Sequence, residues 1–328
     1  MNRSAFREPL ILLPTFNDWA ALEAFLPRLD GELSASGYTA SVMIVDDGSA
    51  IPISQDAFPL EYSAIRSLSC LRLKRNVGHQ RAIAIGLSYL ASKGDERPVV
   101  VMDADGEDLP SDVPRLLEEF QRQDGETVVF AKRTRRAEGL VFKIFYALYR
   151  GVHRLLTGMK VEVGNFSVLP WSAVTTLPLF SSLWNHYAAA VMQARMKTAL
   201  VPTRRGSRIA GKSGMNFIAL VSHGLGAMSV FSDRIGVRLM LATCGVIVLF
   251  VITGIVALAL HLAGATMPDW TLAAFGIGAI LLAQGILVLM VFTFMIHVGR
   301  ADALFIPARE FEVFVASHER IWPGEQSV

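Results

Sequence analysis

The sequence predicts an α/β domain with a mostly parallel sheet, followed by a hairpin of two transmembrane helices. Before residue 239, short apolar runs rich in β-branched residues alternate with helical spacings, an alternation typical of a parallel sheet covered by helices. After it, residues 239–262 and 271–298 contain no Asp, Glu, Lys or Arg. Each stretch exceeds the roughly 20 residues that a helix needs to cross a bilayer. Two such stretches, separated by a short connection, favour a transmembrane hairpin over a single buried core helix.

The strands and helices of the first part follow from local patterns. Five apolar runs predict strands at residues 10–14, 41–49, 68–76, 97–105 and 127–133. Between them, helical spacing covers residues 18–36, 78–93 and 112–123. Ligands of such open sheets bind beyond the carboxyl ends of the strands, so those ends are where functional residues are expected.

Polar residues follow four of these strands, at Thr15–Asn17–Asp18, Asp46–Asp47, Arg75–Asn76 and Asp103–Asp105. One polar strand end is ordinary, whereas four that meet at one edge of a sheet indicate a binding site. No G-x-G-x-x-G follows the first strand and no G-x-x-x-x-G-K-[ST] occurs. A bound nucleotide must therefore be held without the glycine-rich loops of dinucleotide-binding or P-loop proteins.

The stretch VVVMDADGEDLP, residues 99–110, places four carboxylates directly after an apolar run. An acidic surface turn is one interpretation. The other is a cation site, because two carboxylates one residue apart at a turn can reach one Mg²⁺ or Mn²⁺, which prefers oxygen ligands shared with substrate phosphates.

Several motifs, in this order and spacing, resemble those of family 2 glycosyltransferases, and more closely the polyprenyl-phosphate glycosyltransferases, a group that includes dolichyl-phosphate mannose synthase. The resemblance rests on LPTFND (13–18), VDDGS (45–49), RNVGHQRAIAIGL (75–87), MDADGEDLP (102–110), AKRTRR (131–136), GNFSVLP (164–170) and RIAGKS (208–213). It implies a GT-A domain, which is a Rossmann-like nucleotide-sugar-binding domain, and a hexosyltransferase activity.

The resemblance also implies roles for individual residues. The base and ribose of the donor would contact Pro14, Thr15, Asn17, Asp18, Asp46 and Asp47. A Mg²⁺ or Mn²⁺ cofactor on the diphosphate would be held by Asp103, Asp105 and Glu107, the first two counting as catalytic. Phosphate or sugar contacts are expected from Asn76, His79, Arg208, Lys212 and Ser213, although a structural role for His79 stays open.

Three positions depart from the family pattern. Asp18 stands where the family usually has Glu, and Asn165 replaces a frequent Asp. Gly106-Glu107 replaces a common Leu-Gln pair, which adds a carboxylate beside the expected metal site.

A basic and amphipathic segment occupies residues 132–160. Apolar residues recur there at helical spacing, which predicts a helix at about 140–157 that lies on an anionic membrane surface or, alternatively, packs on the domain. Arg133, Arg136 and Lys143 would grip the phosphate of a lipid acceptor, Arg133 and Lys143 taking part in catalysis.

The acceptor is inferred from a missing base. A hydroxyl acceptor needs a general base, and residues 181–197, where relatives with hydroxyl acceptors carry one, contain no carboxylate. A polyprenyl phosphate needs none, because its second ionisation lies near pH 6. Asp108 and His186 remain alternative bases. We expect inverting transfer from a UDP- or GDP-sugar to undecaprenyl phosphate; direct transfer to a lipid or glycan hydroxyl, or an inactive membrane scaffold, are the alternatives.

The expected organisation is a cytoplasmic catalytic domain at 1–214, an amphipathic segment at 215–238, transmembrane helices within 239–298 and a tail at 299–328. Arg234, Arg238 and Arg300 flank the two stretches while their connection has no Lys or Arg, which predicts both termini in the cytoplasm of a plasma-membrane protein. Small residues such as Gly278 suggest close helix packing and a homo-oligomer. No nucleic-acid partner is expected.

Overall fold

The computed structural model describes residues 7–53, 58, 61–133, 151–158, 163–210, 217–266, 268–301 and 305–323. They divide into two compact units. The first contains the described parts of 7–133, 163–230 and 305–323, and the second contains 151–158 with 231–301. The helical residues 151–157 thus group with the long apolar helices, and the tail groups with the sheet.

The first unit is built on one eight-stranded sheet. Its strands are β1 Leu10–Thr15, β2 Ala40–Asp46, β3 Ile65–Leu73, β4 Val99–Val101, β5 Val128–Arg133, β6 Ser167–Leu169, β7 Thr198–Thr203 and β8 Val315–Trp322. The spatial order is β7-β5-β6-β4-β1-β2-β3-β8, and only β6 and β8 run against the others. The predicted mostly parallel sheet is confirmed.

Helices cover both faces of this sheet. The helices whose residues join the two hydrophobic cores are α1 Trp19–Ala35, α2 His79–Lys93, α3 Asp112–Arg122, α5 Trp171–Thr176 and α6 Tyr187–Gln193. The first unit also contains α7 Phe217–Ser229 and α10 Pro307–Glu310, and residues 151–157 form α4 in the other unit. Successive strand residues point to opposite faces, so Ile11 and Leu13 enter the core under α1 and α3. Leu10 and Leu12 enter the core under α2.

The second unit contains the two long apolar helices, α8 Ser232–Leu262 and α9 Thr271–Ala301. By length and composition, Ser232–Leu262 and Thr271–Met295 could each cross a membrane. Their apolar side chains are exposed, as expected of helices whose solvent is lipid. Gly278 allows the Phe250 ring to approach, since a Cβ there would lie 2.6 Å from Phe250 Cε2. Two apolar helices suited to a hairpin are therefore present.

The tail differs from what its sequence suggests. The alternation in FEVFV predicts a strand that pairs with a neighbouring subunit or domain, but Phe311–Phe314 forms a 3-10 turn. The strand is β8, which pairs antiparallel with β3 of the same chain. Strands β6 and β7 were not predicted either, because three or six residues of mixed polarity give no clear periodicity.

Candidate active site

The loops after β1 and β2 are joined at the carboxyl edge of the sheet, where the two strands run parallel side by side. The Asn17 N–H donates to Ser49 Oγ at 2.8 Å, and the Ala50 N–H donates to Asn17 Oδ1 at 2.9 Å. Asn17 has a φ of 50°, a left-handed conformation that Asn tolerates better than most residues. The structure therefore brings together two of the predicted donor-binding loops.

Asp46 and Asp47 are buried and hold backbone rather than facing outward. Asp46 Oδ1 accepts the Ser49 N–H at 2.8 Å. Asp47 accepts the N–H groups of Val77 and Gly78 at 2.7 and 2.9 Å, which fixes the loop before α2. Burial raises the pKa of Asp47, and the two N–H groups oppose that rise. Both carboxylates thus shape the site through the loops that they hold.

The acidic stretch forms a compact loop after β4, here called the rim loop (residues 102–110). The Asp103 N–H donates to Asp108 Oδ2 at 3.0 Å, and the Glu107 N–H donates to Asp105 Oδ1 at 2.9 Å. Burial raises the pKa of Asp105; the Glu107 N–H opposes the rise, and the Asp103 carboxylate adds to it. Asp103 and Asp105 are therefore near enough for their charges to interact.

A second loop, the closing loop (residues 204–210), lies directly on the rim loop. The Gly206 N–H donates to the Glu107 carbonyl at 2.9 Å, and the Ile209 N–H donates to the Asp105 carbonyl at 2.8 Å. A Cβ on Gly206 would lie 2.1 Å from the Gly106 carbonyl oxygen. Glycine is therefore required where the two backbones meet.

Two arginines of the closing loop contact acidic residues of the site. Arg208 Nη2 lies 2.5 Å from Asp18 Oδ2, and Arg208 Nη1 lies 3.2 Å from Asp105 Oδ2. Arg205 contacts both carboxylate oxygens of Glu107, at 2.5 and 3.0 Å. Arg208, predicted as a phosphate contact, thus lies between two of the predicted acidic site residues, and its role stays a prediction. Arg205 was missed, although the basic run RRGSR was the signal that could have found it.

His79 ends a line of hydrogen bonds that begins inside the domain. The Tyr187 N–H donates to Gln80 Oε1 at 2.7 Å, and Gln80 Nε2 donates to Asn165 Oδ1 at 3.1 Å. Since the first donor is a backbone N–H, both amide orientations are fixed, and Asn165 Nδ2 faces His79 Nε2 at 2.9 Å. His79 Nε2 also lies 3.1 Å from Asp103 Oδ1. Asn165, whose role its sequence left open, therefore positions His79 beside the rim loop.

The charge around His79 favours its protonated form. Desolvation lowers the pKa of His79, but the carboxylates of Asp103, Asp108 and Asp47 together raise it above the usual value. A proton or a metal cation beside Asp103 would relieve the same excess of negative charge.

The donor set was compared with what Mg²⁺ or Mn²⁺ requires. Among the described residues, no three His, Cys, Asp or Glu side chains already converge as a metal site. Asp103 supplies carboxylate oxygens, the ligand type that these cations prefer. Asp105, whose pKa the Asp103 charge raises, supplies a further oxygen. Asp103 and Asp105 can therefore serve as ligands of a cation whose coordination substrate phosphates would complete.

Only some of the other predicted site residues lie in the described part of the chain. Arg136, Lys143, Lys212 and Ser213 lie outside the described residues, as does the side chain of Arg133 at the end of β5. Pro14 and Thr15 end β1, and Asn76 is exposed in the loop before α2. Of the two alternative bases, Asp108 accepts the Asp103 N–H, and His186 caps α6 by accepting the Ala189 N–H at 3.4 Å.

Comparison with known proteins assigns a domain of this chain to a family. Residues 10–166, which include β1 to β5 and the rim loop, match the model of glycosyl transferase family 2. A Bacillus subtilis (strain 168) protein, the uncharacterized glycosyltransferase YkcC, is 24% identical over 68% of this chain and 68% of its own. The undecaprenyl-phosphate 4-deoxy-4-formamido-L-arabinose transferase of Aeromonas hydrophila subsp. hydrophila is 30% identical over 49% of this chain. That match spans 48%, about half, of the relative's length.

Among solved structures, glucosyl-3-phosphoglycerate synthase from Mycobacterium tuberculosis, in complex with Mn²⁺, UDP-glucose and phosphoglyceric acid, is 15% identical with a TM-score of 0.48. The similarity covers 71% of this chain and 82% of that one. By its matched family and its mostly parallel sheet, the chain carries a family 2 glycosyltransferase domain of GT-A-like fold and is a glycosyltransferase.

Proposed function

We propose that this glycosyltransferase moves a sugar from a UDP- or GDP-sugar to a polyprenyl phosphate, such as undecaprenyl phosphate, with inversion at the anomeric carbon. The reaction would take place at the cytoplasmic face of the plasma membrane, in which α8 and α9 are the anchor. The named function of the arabinose transferase relative and the two helices long enough to cross a bilayer support this acceptor.

One observation carries the proposal: Arg208 bridges Asp18, on the loop after β1, and Asp105, on the rim loop. A donor bound at this edge would bring its diphosphate to that bridge. Arg208 can then exchange a carboxylate for a phosphate oxygen, because a guanidinium binds either anion with the same fork of donors. Its charge would stabilise the leaving nucleoside diphosphate, where negative charge develops.

The rim loop would stabilise the remaining negative charge of the donor diphosphate. Asp103 and Asp105, with Glu107 as a further candidate, would hold a Mg²⁺ or Mn²⁺, which when bound neutralises charge on the diphosphate. His79 stands beside Asp103 and can donate to a phosphate or a sugar hydroxyl. Asn76, Lys212 and Ser213 are proposed as further phosphate contacts, with Pro14, Thr15, Asn17, Asp46 and Asp47 shaping the nucleoside pocket.

The acceptor side requires no strong base. Asp108 and His186 are engaged in the hydrogen bonds described above, and residues 181–197 contain no carboxylate. A phosphate monoester with a second pKa near 6 is already a dianion at neutral pH. Arg133, Arg136 and Lys143 are proposed to hold that phosphate.

The test is incubation of the purified chain with undecaprenyl phosphate and a panel of UDP- and GDP-sugars, followed by mass spectrometry of the lipids. We expect one sugar nucleotide to give a mild-acid-labile glycosyl phosphate lipid of inverted anomeric configuration. An acid-stable product would instead indicate a hydroxyl acceptor, and no product with any donor would favour the inactive scaffold.

A further inference from the structure

A cationic cavity lies in the second unit, and its lining includes none of the residues assigned to sugar transfer. It has a volume of about 410 Å³ and is lined by Gly151, Arg154, Leu155, Gly158 and Arg238. The first four belong to α4 or directly follow it, and Arg238 is on α8, one residue before the charge-free stretch begins. Among the lining residues that the structure describes, two are arginines and none is acidic.

Arg238 is held in the wall of this cavity by the end of α4. Its Nη1 donates to the Leu155 carbonyl at 2.6 Å, at the helix end where carbonyls lack intrahelical partners. It also lies 3.4 Å from the Arg154 carbonyl, which accepts the Gly158 N–H at 2.9 Å. Gly158 has a φ of 78°, and a Cβ there would lie 2.6 Å from Arg238 Nη2. A glycine thus makes room for the guanidinium, whose other N–H groups are not used by these two carbonyls.

Apolar side chains lie beside the two positive charges. Leu155, which lines the cavity, is 74% exposed, and Val152 on the same helix is 41% exposed. A helix with exposed apolar residues and arginines suits the boundary between lipid headgroups and acyl chains. Arg238 lies at the same boundary if α8 crosses the membrane, since residues 239–262 carry no charge. Free phosphate could bind the arginines but would make no apolar contact with Leu155.

We propose that this cavity binds the phosphate group of a membrane lipid, Arg154 and Arg238 contacting the phosphate while Leu155 contacts the acyl region. The inference rests on the membrane anchoring in the proposed function and is independent of the transfer reaction. Its ligand is a lipid phosphate, either the diester of an anionic glycerophospholipid or the monoester of a polyprenyl phosphate.

Two substitutions test the cavity, one by removing a charge and the other by filling space. Arg154→Gln removes one charge but keeps the backbone carbonyl that Arg238 uses. Gly151→Leu keeps both charges and fills space, since a Cβ on Gly151 meets no atom within 4 Å. The matched controls are on α8 outside the cavity. Arg234→Gln removes an arginine that stacks on Phe231, and Gly245→Leu adds a side chain where a Cβ likewise meets no atom within 4 Å.

The assay is native mass spectrometry of the full chain released from nanodiscs of phosphatidylethanolamine with either phosphatidylglycerol or undecaprenyl phosphate. Wild type should retain one of these anionic lipids in preference to phosphatidylethanolamine. Arg154→Gln should lower that retention at least about five-fold, because the lipid phosphate loses a charge-assisted hydrogen-bond partner inside the cavity. Gly151→Leu should lower it similarly, and both controls should match wild type.

Several outcomes would overturn the proposal. Retention equal in wild type and both cavity variants would do so, as would no preference for either anionic lipid in wild type. If excess inorganic phosphate displaces the lipid fully, the cavity is a site for free phosphate and not for a lipid. Whichever of phosphatidylglycerol and undecaprenyl phosphate is retained more strongly identifies the lipid class that supplies the phosphate group. Asp105→Asn, which should lower sugar transfer about 100-fold without altering lipid retention, separates failure of this proposal from failure of the proposed function.

Discussion

The contact between the closing loop and the rim loop can be tested by one methyl group. In Gly206→Ala, the added Cβ would lie 2.1 Å from the Gly106 carbonyl oxygen and 2.7 Å from Leu109 Cδ2. The first neighbour is backbone and cannot rotate away, so the closing loop must move outward by about 1 Å to restore an ordinary contact. That shift opens the 2.9 Å hydrogen bond from the Gly206 N–H to Glu107.

The expected cost follows from those two losses. A backbone hydrogen bond contributes about 1 kcal/mol, and forcing a methyl group into a packed contact costs at least about 1 kcal/mol more. The docked state of the closing loop should therefore lose about 2 kcal/mol relative to the open state, which corresponds to about 30-fold. The ion pairs of Arg205 and Arg208 would be lengthened as well, but such partly exposed pairs add little.

Hydrogen exchange of the peptide that contains residues 204–210 measures this opening, because the Ile209 N–H is bonded to Asp105 in the docked state. We expect about 30-fold faster exchange in Gly206→Ala and no change elsewhere in the sheet. Gly31→Ala is the control, since a Cβ on that α1 glycine meets no atom within 4 Å. Unchanged exchange in Gly206→Ala, or full exchange of this peptide in wild type at the earliest time, would refute the docking.

Four further outcomes are expected. Gln80→Leu should lower the free energy of unfolding by about 1–3 kcal/mol in a chemical denaturation assay, because the Tyr187 N–H loses its acceptor; Gln80→Glu, which keeps an acceptor, should lose less. Burial raises the pKa of Cys70 to about 12, so a water-soluble maleimide at pH 8 should label it only after denaturation. Cys244 on α8 should react in detergent but be shielded in lipid bilayers; equal labelling in both would argue against a membrane-spanning α8. Asp105→Asn should lower transfer about 100-fold with little change in the thermal midpoint, because the carboxylate charge is lost while an Asn Oδ1 can still accept the Glu107 N–H.

Local patterns were sufficient to predict the part of the fold whose elements are long and periodic. The runs behind β1 to β5 and the spacing behind α1 to α3 lie within two or three residues of the observed bounds at most ends. The edge of the sheet that carries the site follows from those elements alone, because parallel neighbours end on the same side. The predicted positions of Asp18 and Asp105 near one another depend only on this topology.

Long-range pairings were what the sequence could not predict. β8 lies about 240 residues after β3, its partner, and its residues Val315–Trp322 alternate no better than those of a polar loop. The same holds for the hydrogen bonds that reach His79, which join residues from α2, α6 and the segment before β6. Such contacts depend on the whole fold, and no window of local sequence contains both partners.

Most departures from the family pattern have a common structural reason, which is contact with the closing loop. A side chain on Gly106 would begin 2.5 Å from Ile209 Cγ1, so a leucine there is incompatible with the docked closing loop. Glu107, which stands where a glutamine is common, gives Arg205 a charged partner across the same contact. The short Asp18 meets the Arg208 guanidinium that also reaches Asp105. Asn165, the other departure, faces His79 instead. The departures at 18, 106 and 107 face the closing loop, and together they replace side-chain bulk on the rim loop with backbone contact and ion pairing.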